Sequence, residues 1–357
     1  MRWLLLVVAL VAACGSSGDA PGDLSAVEAG VEVELEVPAG TLGFTVIVEG
    51  DVGPDDALGV QSLTAPDGTE WVLDFADALA NGPSLLGEPG TGVAAARVPL
   101  VDDRAATVGA LPAGRWKIQL GGISGSPKAS ERAPYVGTLH GTVSFLNTRD
   151  GLFHGGSLDL DLYIPDGLDT SDVDAMLDIA FPLVSRLFGI DRGEVRRHTI
   201  PARFLAIRDQ ATIDDANRLA ESRLSAAVIL TGNLMPDGEI NGIVNCLPSA
   251  AGVGGTACSA VIVSLRAGPL WQTAATMIHE LGHFTGLEHS TEFDLVHDRL
   301  SDTPKCEDMS KSALRSCLDR ENLMFPSADV ATSQETIEVS ETQRAVFRSS
   351  AIVRVTN

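Results

Sequence analysis

The sequence of 357 residues is poor in positive charge. It holds 25 lysine and arginine residues against 48 aspartate and glutamate residues, for a formal net charge of -23. Nucleic acids and anionic lipid surfaces are bound through basic patches, so this balance argues against both as partners. Hydrophobic residues make up 45% and charged residues 20%, which is typical of globular chains. A chain of this length usually exceeds one hydrophobic core, so two domains are expected.

The N-terminus lacks an apolar stretch long enough to span a bilayer stably. The apolar core of residues 4–11 is short and follows a positive charge, as in export signals. Residues 11–14, Val-Ala-Ala-Cys, resemble a bacterial lipobox, in which cleavage precedes the cysteine and lipid is attached to it. The pattern predicts a lipoprotein signal peptide at residues 1–13, lipidation of Cys14 and a flexible tether over residues 14–26.

This resemblance implies an exported lipoprotein of the bacterial cell envelope that meets the membrane only through its lipid anchor. The residue after the cysteine is Gly15 and not an aspartate. By analogy with lipoprotein sorting, this favours the outer membrane. The alternative is an ordinary secretory signal with an incidental cysteine, and release from the cell.

Cysteine is scarce as well, with five in the chain. No pair has the C-x-x-C spacing of common zinc sites, which argues against a second zinc site. An exported protein folds in an oxidising compartment, so the four cysteines other than Cys14 are expected to form disulfides. Of the three pairings, Cys246–Cys258 with Cys306–Cys317 is the most economical because both bridges are local.

Residues 27–150 are predicted to form an all-β sandwich domain. Residues 31–37 alternate apolar and polar side chains strictly, which is typical of a strand with one wet face. Turn signals separate short strands and favour a sandwich. The further strands are predicted at residues 44–48, 71–75, 96–100, 116–120 and 136–145.

The pattern changes to mixed helices and strands in a second domain, residues 155–357. A helix is predicted at residues 171–188 after a capping Asp169-Thr170 pair, and another at residues 213–223. Strands are predicted at residues 157–164, 204–207, 226–230 and 260–265.

One stretch of this second domain carries the chemistry. His279, Glu280, His283, Gly286 and His289 form the pattern H-E-x-x-H-x-x-G-x-x-H. Residues four apart on a helix lie one above the other, so His279 and His283 face one point. Gly286 can adopt left-handed backbone angles, which lets the chain leave the helix and bring His289 to the same point. Three imidazoles leave one vertex of a tetrahedral zinc ion open, as in catalytic sites.

The helix that carries the first two histidines is also predicted by features other than the histidine spacing. Pro269 suits a first helical turn. Glu280 lies about 100° around the helix from His279, where it can take a proton from a water instead of binding the metal. The apolar residues at the helical period form a stripe roughly opposite the two histidines: Leu270, Ala274, Met277, Ile278, Leu281 and Phe284.

The extended zinc motif resembles that of the metzincin metallopeptidases, which also have a methionine turn beneath the metal. Residues 321–326 resemble that turn, with Met324 as its methionine. Within the metzincins the chain is most similar to the pappalysin-type (cytophagalysin-like) family. The cues are Leu-Ser-Asp-Thr-Pro at residues 300–304, the cysteines Cys306 and Cys317, and residues 340–344, which resemble the family's last helix.

The resemblance implies an α+β zincin domain, with a twisted mixed sheet and an active-site helix. It implies a zinc-dependent endopeptidase in which His279, His283 and His289 hold the metal and Glu280 is the general base toward a zinc-bound water. A protein or peptide substrate would lie along an edge strand between Ile240 and Leu265. Some metzincins have a tyrosine two residues after the methionine, where this chain has a proline.

Two further readings follow from the residues. Asp294, Asp298 and Asp302 crowd the loop after His289 and could hold calcium; alternatively, Asp302 caps backbone groups of a turn. The competing function is a non-catalytic surface lipoprotein that keeps zinc structurally and acts as a binding module. A smaller competitor is a metallohydrolase that acts on non-peptide amides.

Overall fold

The computed structural model describes residues 22–53, 55–75, 78, 86–87, 89–99, 109–125, 132–235, 240–265, 268–310, 313–327 and 331–356. The expected signal peptide, Cys14 and the tether as far as residue 21 lie outside these residues. The chain divides into two compact units. The first comprises residues 1–98 and 109–152, and the second comprises residues 99–108 and 153–357.

Nine strands form two antiparallel sheets in the described part of the first unit. One sheet has the order β1-β9-β3-β6, and the other has the order β2-β7-β4-β5 with β8 paired to β7. The strands are β1 Gly22–Glu28, β2 Glu32–Val37, β3 Thr41–Glu49, β4 Ala57–Thr64, β5 Glu70–Val72, β6 Val93–Val98, β7 Gly114–Ser124, β8 Ala133–Pro134 and β9 Thr138–Asn147.

Aromatic side chains join the two sheets of this unit. Phe44 of β3 meets Trp116 of β7 edge-on with ring centroids 5.3 Å apart, and Trp71 of β5 stacks on Trp116 at 6.3 Å. Strand β1 pairs with β9, so residues 22–26 belong to a sheet, where a tether was expected. The physical reason is the apolar side chain of Leu24, which is buried together with Val27.

The second unit is built on a six-stranded mixed sheet. Its order is β11-β10-β13-β16-β15, and β17 pairs with the start of β10. The first four strands of this order are parallel, and β15 and β17 are antiparallel to their neighbours. Its strands are β10 Gly156–Pro165, β11 Ile190–Ile200, β13 Ala226–Thr231, β15 Gly242–Val244, β16 Val261–Ser264 and β17 Val353–Val355. Two short strands, β12 Ala206–Ile207 and β14 Asn233–Leu234, pair with each other in a separate sheet. The helices are α1 Val173–Phe188, α2 Gln210–Asn217, α3 Leu270–Phe284 and α4 Glu341–Arg348.

Helices cover both faces of this sheet. Helices α1, α3 and α4 bury their apolar faces against Leu160, Val228 and Val263 on one side. Helix α2 packs with Ile229 and Ile262 on the other side. Central parallel strands are buried on both faces, which accounts for the continuous apolar runs of β13 and β16. Among the residues described, no helix is long and apolar enough to cross a membrane.

Two sequence predictions differ from the structure of this unit, and one strand was not predicted. Residues 202–205 form a 3-10 turn, and only Ala206–Ile207 is extended, where a strand over 204–207 was expected. The helix predicted at 213–223 begins earlier, because the Asp209 side chain caps it at Thr212 N, and it ends at Asn217. The long edge strand β11 was not predicted at all.

Candidate active site

Helix α3 positions the first two histidines. It begins after Pro269 and buries Met277, Ile278 and Leu281, as the apolar stripe predicts. His279 and His283 lie on the other face and are only partly buried. A buried stripe on one side fixes the rotation of the helix, so both imidazoles point away from the core into the same space.

The chain then turns back to bring the third histidine to the first two. Helix α3 ends at Phe284, and Gly286 has a φ of +99°, in the left-handed region that favours glycine. His289 Nε2 lies 3.1 Å from His279 Nε2 and 3.0 Å from His283 Nε2. These three residues form a group whose donor atoms lie within 4.8 Å of one another.

The partners of the Nδ1 atoms determine which nitrogen of each imidazole carries the proton. His279 Nδ1 donates to the carbonyl of Leu323 at 2.6 Å, and His283 Nδ1 donates to the carbonyl of Leu287 at 2.6 Å. A carbonyl can only accept, so both Nδ1 atoms must carry the proton. His289 Nδ1 lies 2.7 Å from the carboxylate of Glu292, which also accepts. In the neutral imidazoles, all three Nε2 atoms are left with bare lone pairs.

These residues fit a zinc ion. Three lone pairs that converge with no proton between them repel each other, so their contacts are not hydrogen bonds and a cation suits the space. Zinc binds imidazole nitrogen at about 2.0–2.1 Å, which puts the nitrogens of a tetrahedral site about 3.3 Å apart. The observed spacings of 3.0 and 3.1 Å are close to that value.

Burial keeps His279 and His283 neutral and shifts the pKa of the neighbouring carboxylate. Burial, with the nearby His289, lowers the pKa of His279 to about 3, and burial lowers the pKa of His283 well below its usual value. Burial raises the pKa of Glu280 to about 8 in the metal-free chain. A cation nearby favours the charged carboxylate and opposes this shift.

Glu280 meets the edge of the sheet. A Cβ placed on Gly242 of β15 would lie 2.6 Å from both Cγ and Oε1 of Glu280, so the carboxylate lies directly against the bare backbone there. Only glycine permits this approach. Glu280, the residue after His279 on helix α3, is therefore buried against the edge strand β15.

Met324, the methionine of the predicted turn, packs against helix α3 at Gly282. It is fully buried, and a Cβ on Gly282 would lie 2.5 Å from its sulfur. Asn322 holds this turn: its Oδ1 accepts from Met324 N at 2.8 Å, and its Nδ2 donates to Gln343 Oε1 at 2.9 Å. Gln343 also belongs to the capping box of α4. The amide pair therefore ties the turn to the last helix.

A second network holds the loop that carries His289. Asp319 is buried, and its Oδ2 accepts from Ser290 Oγ at 2.8 Å and from Thr291 Oγ1 at 2.7 Å. The backbone amide of Cys306 donates to Thr291 Oγ1 at 3.1 Å. Both expected disulfides are present, Cys246–Cys258 and Cys306–Cys317.

The three aspartates of the expected calcium site do not converge. Asp294 accepts from Val296 N at 3.3 Å within its own loop. Asp302 accepts from Thr342 N at 2.9 Å in the first turn of α4, so the backbone group it caps belongs to a helix 40 residues away and not to its own turn. Asp298 is buried elsewhere, and the three do not form a group that could hold an ion, so the calcium prediction has no support.

Several groups of the site were not predicted from the sequence. The carbonyls of Leu287 and Leu323 could not be found, since every residue offers a carbonyl. Glu292 offers a weak signal, a carboxylate three residues after a histidine, but the sequence does not show that the two side chains meet. The Asn322–Gln343 pair left no signal, because its members lie 21 residues apart.

No protein-family model matches the sequence, and no curated protein matches it. Among solved structures, the chain is similar to archaemetzincin from Methanopyrus kandleri, with 17% identity and a TM-score of 0.34 over 54% of this chain and 93% of the other. It is also similar to metalloproteinase-II from Bacteroides fragilis, with 14% identity and a TM-score of 0.29 over 41% of this chain and 47% of the other, about half its length. The chemistry of this chain therefore has to be inferred from its own side chains.

Proposed function

We propose that this chain is a zinc-dependent endopeptidase of the metzincin type, most like the pappalysin-type family. The observation that carries the proposal is the convergence of three imidazole Nε2 atoms, each on a ring whose outer nitrogen is held by an acceptor, together with the burial of Glu280, which follows His279 on helix α3. In this proposal the second unit is the α+β catalytic domain, and the first unit is a β-sandwich accessory domain.

A zinc ion on His279, His283 and His289 would make a water acidic and polarise the substrate carbonyl. The carboxylate of Glu280 then accepts a proton from the attacking water and delivers it to the nitrogen of the leaving amine. A purely structural zinc site has no need of such a carboxylate. Met324 has no chemical part in this scheme: it fills the floor beneath the histidines.

The proposed substrate is an extended segment of protein or peptide. Strand β15 is the last strand of the sheet and pairs with β16 through Gly242–Val263, Ile243–Ile262 and Val244–Val261. An extended peptide added to its outer edge would gain main-chain hydrogen bonds. Because Gly242 lies against Glu280, a peptide on this edge would pass beside the general base.

The proposed location is extracytoplasmic, with the protein anchored to the bacterial outer membrane through lipid on Cys14. The sequence of residues 11–14 supports this, and two disulfides suit an oxidising compartment.

The test is cleavage of an unfolded protein and a mixed peptide library by the zinc-loaded protein and by Glu280→Gln, which keeps the size of the side chain. We expect the variant to retain zinc and to cleave about 10²–10⁴-fold more slowly, because it cannot accept the proton. Zinc-loaded wild-type protein that cleaves nothing would favour the binding-module function. Equal rates would remove Glu280 from the mechanism.

A further inference from the structure

The three histidines differ in what holds their outer nitrogens. For His279 and His283 the acceptor is a backbone carbonyl. For His289 it is the Glu292 side chain, at 2.7 Å. The third imidazole is therefore the only one of the three whose orientation depends on a charged side chain.

The loop that carries Glu292 is built to hold it in place. Thr291 and His297 form an isolated β-bridge that closes the loop. Glu292 N donates to Val296 O at 2.6 Å, and Leu295 N donates to Glu292 O at 2.9 Å. Leu295 adopts a φ of +67°, in the left-handed region that non-glycine residues rarely enter. This constrained backbone fixes the position from which the Glu292 side chain extends.

The base of the loop is anchored as firmly. Thr291 Oγ1 donates to the buried Asp319 and lies 3.1 Å from His297 Nδ1. Thr291, just before Glu292, is thus tied down, while the Glu292 side chain itself is 45% exposed. An exposed glutamate on a surface loop would ordinarily lose entropy on being held in one rotamer, so its placement on His289 needs a reason.

We propose that Glu292 is the positioning residue of the third metal ligand. Its carboxylate accepts the Nδ1 proton of His289, which fixes the tautomer and turns Nε2 toward the point that His279 and His283 share. A carboxylate on the outer nitrogen also makes the inner nitrogen a stronger electron donor. This inference rests on zinc binding at the histidine group, as the proposed function does, but it does not rest on peptide cleavage.

The test measures zinc affinity by competition with a chromophoric chelator for four proteins: wild type, Glu292→Gln, Glu292→Ala and Asp294→Asn. Glu292→Gln keeps an acceptor but loses the charge, and Glu292→Ala loses both. Asp294→Asn is the matched control, because it removes one negative charge from the same loop and its partner is Val296 N. Far-UV circular dichroism of the metal-free proteins checks the fold of each.

We expect Glu292→Ala to bind zinc about 10–100-fold more weakly than wild type, with Glu292→Gln between them and Asp294→Asn unchanged. The visible absorption bands of the cobalt-loaded protein should shift in Glu292→Ala and stay in place in Asp294→Asn, because only the first changes the orientation of a ligand. If Glu292→Ala fails to fold, Glu292→Gln alone decides through the same two readouts.

Two outcomes would overturn the inference while the proposed function stands. One is wild-type zinc affinity in both Glu292 variants. The other is an equal loss of affinity in Asp294→Asn, which would make loop charge, and not the contact with His289, the cause. A wild-type protein that binds no zinc would defeat the proposed function itself, so the two failures are distinguishable.

Discussion

At the scale of single residues, the site depends on how closely the methionine turn approaches helix α3. Gly282 lies between the two histidines of the helix, and its position leaves no room for a side chain. An added Cβ would lie 2.5 Å from Met324 Sδ and 3.1 Å from Met324 Cε. The absence of a side chain at this residue is what lets the turn lie directly beneath the histidines.

Gly282→Ala should therefore destabilise the protein, although alanine is the better helix former. Overpacking of this kind costs about 1–3 kcal/mol, against a gain of about 0.5–1 kcal/mol from replacing a helical glycine. Urea unfolding of the metal-free protein measures the net effect. In the double variant with Met324→Ala the loss due to Gly282→Ala should disappear, since the sulfur is gone. A single variant more stable than wild type would contradict the close approach.

At the scale of elements, a buried carboxylate joins three strands of the second unit. Asp161 on β10 accepts from Arg196 on β11, through Nε at 2.7 Å and Nη2 at 2.9 Å, and lies 2.8 Å from His198 Nε2. Ser225, just before β13, also donates to it. Burial raises the pKa of Asp161, but these hydrogen bonds outweigh burial and bring it well below its usual range. His198 thus belongs to a partly buried network.

This network makes stability depend on pH in a definite direction. A carboxyl group with a lowered pKa in the folded state stabilises the protein fully above its unfolded pKa of about 3.9, and the stabilisation is lost as the pH falls below that value. Asp161→Asn should cost about 1.5–3 kcal/mol at pH 7. The difference in unfolding free energy from wild type should shrink between pH 5 and pH 3, as measured by urea unfolding.

The control is Asp178→Asn, which breaks an exposed ion pair with Arg192 at 3.3 Å. That change should alter stability by less than about 1 kcal/mol at any of these pH values. A difference between wild type and Asp161→Asn that stays constant from pH 7 to pH 3 would show that the charge of Asp161 is not what stabilises the strands.

How well the sequence predicted an element depended on whether its signal was local. Helix α3 could be predicted because its buried stripe and its histidines repeat at the helical period within 15 residues. Strand β11 could not, because it is an edge strand whose side chains are mostly polar and whose partners lie on β10. Arg196 looks like a surface cation until Asp161, 35 residues away, is placed beside it.

The same distinction holds within the site. The ligand spacing from His279 to His289 is local, and the sequence contains all of it. The acceptors on the outer nitrogens include the carbonyl of Leu323, 44 residues from His279, which only the fold brings there. Metal binding could thus be inferred from the sequence motif, whereas the imidazole tautomers that allow it could be assigned only from the structure.

At the scale of the whole molecule, the second unit contains every group of the site. The three histidines, Glu280, Met324 and the acceptors on the outer nitrogens all lie between residues 242 and 343, and the Cys306–Cys317 disulfide lies among them. The part of the first unit within residues 22–152 contributes none of the groups described for the site. Metal binding should therefore depend on residues of the second unit, with the three histidines as ligands and Glu292 behind His289.

The most direct measurement is the zinc content of the purified, zinc-loaded protein beside His283→Ala, determined by elemental analysis after removal of free metal. We expect about one zinc ion per chain in wild type and a loss of most of it in His283→Ala, with the fold of the variant checked by circular dichroism. A wild-type protein without zinc, or a folded His283→Ala that keeps all of it, would show that the three histidines do not form a metal site.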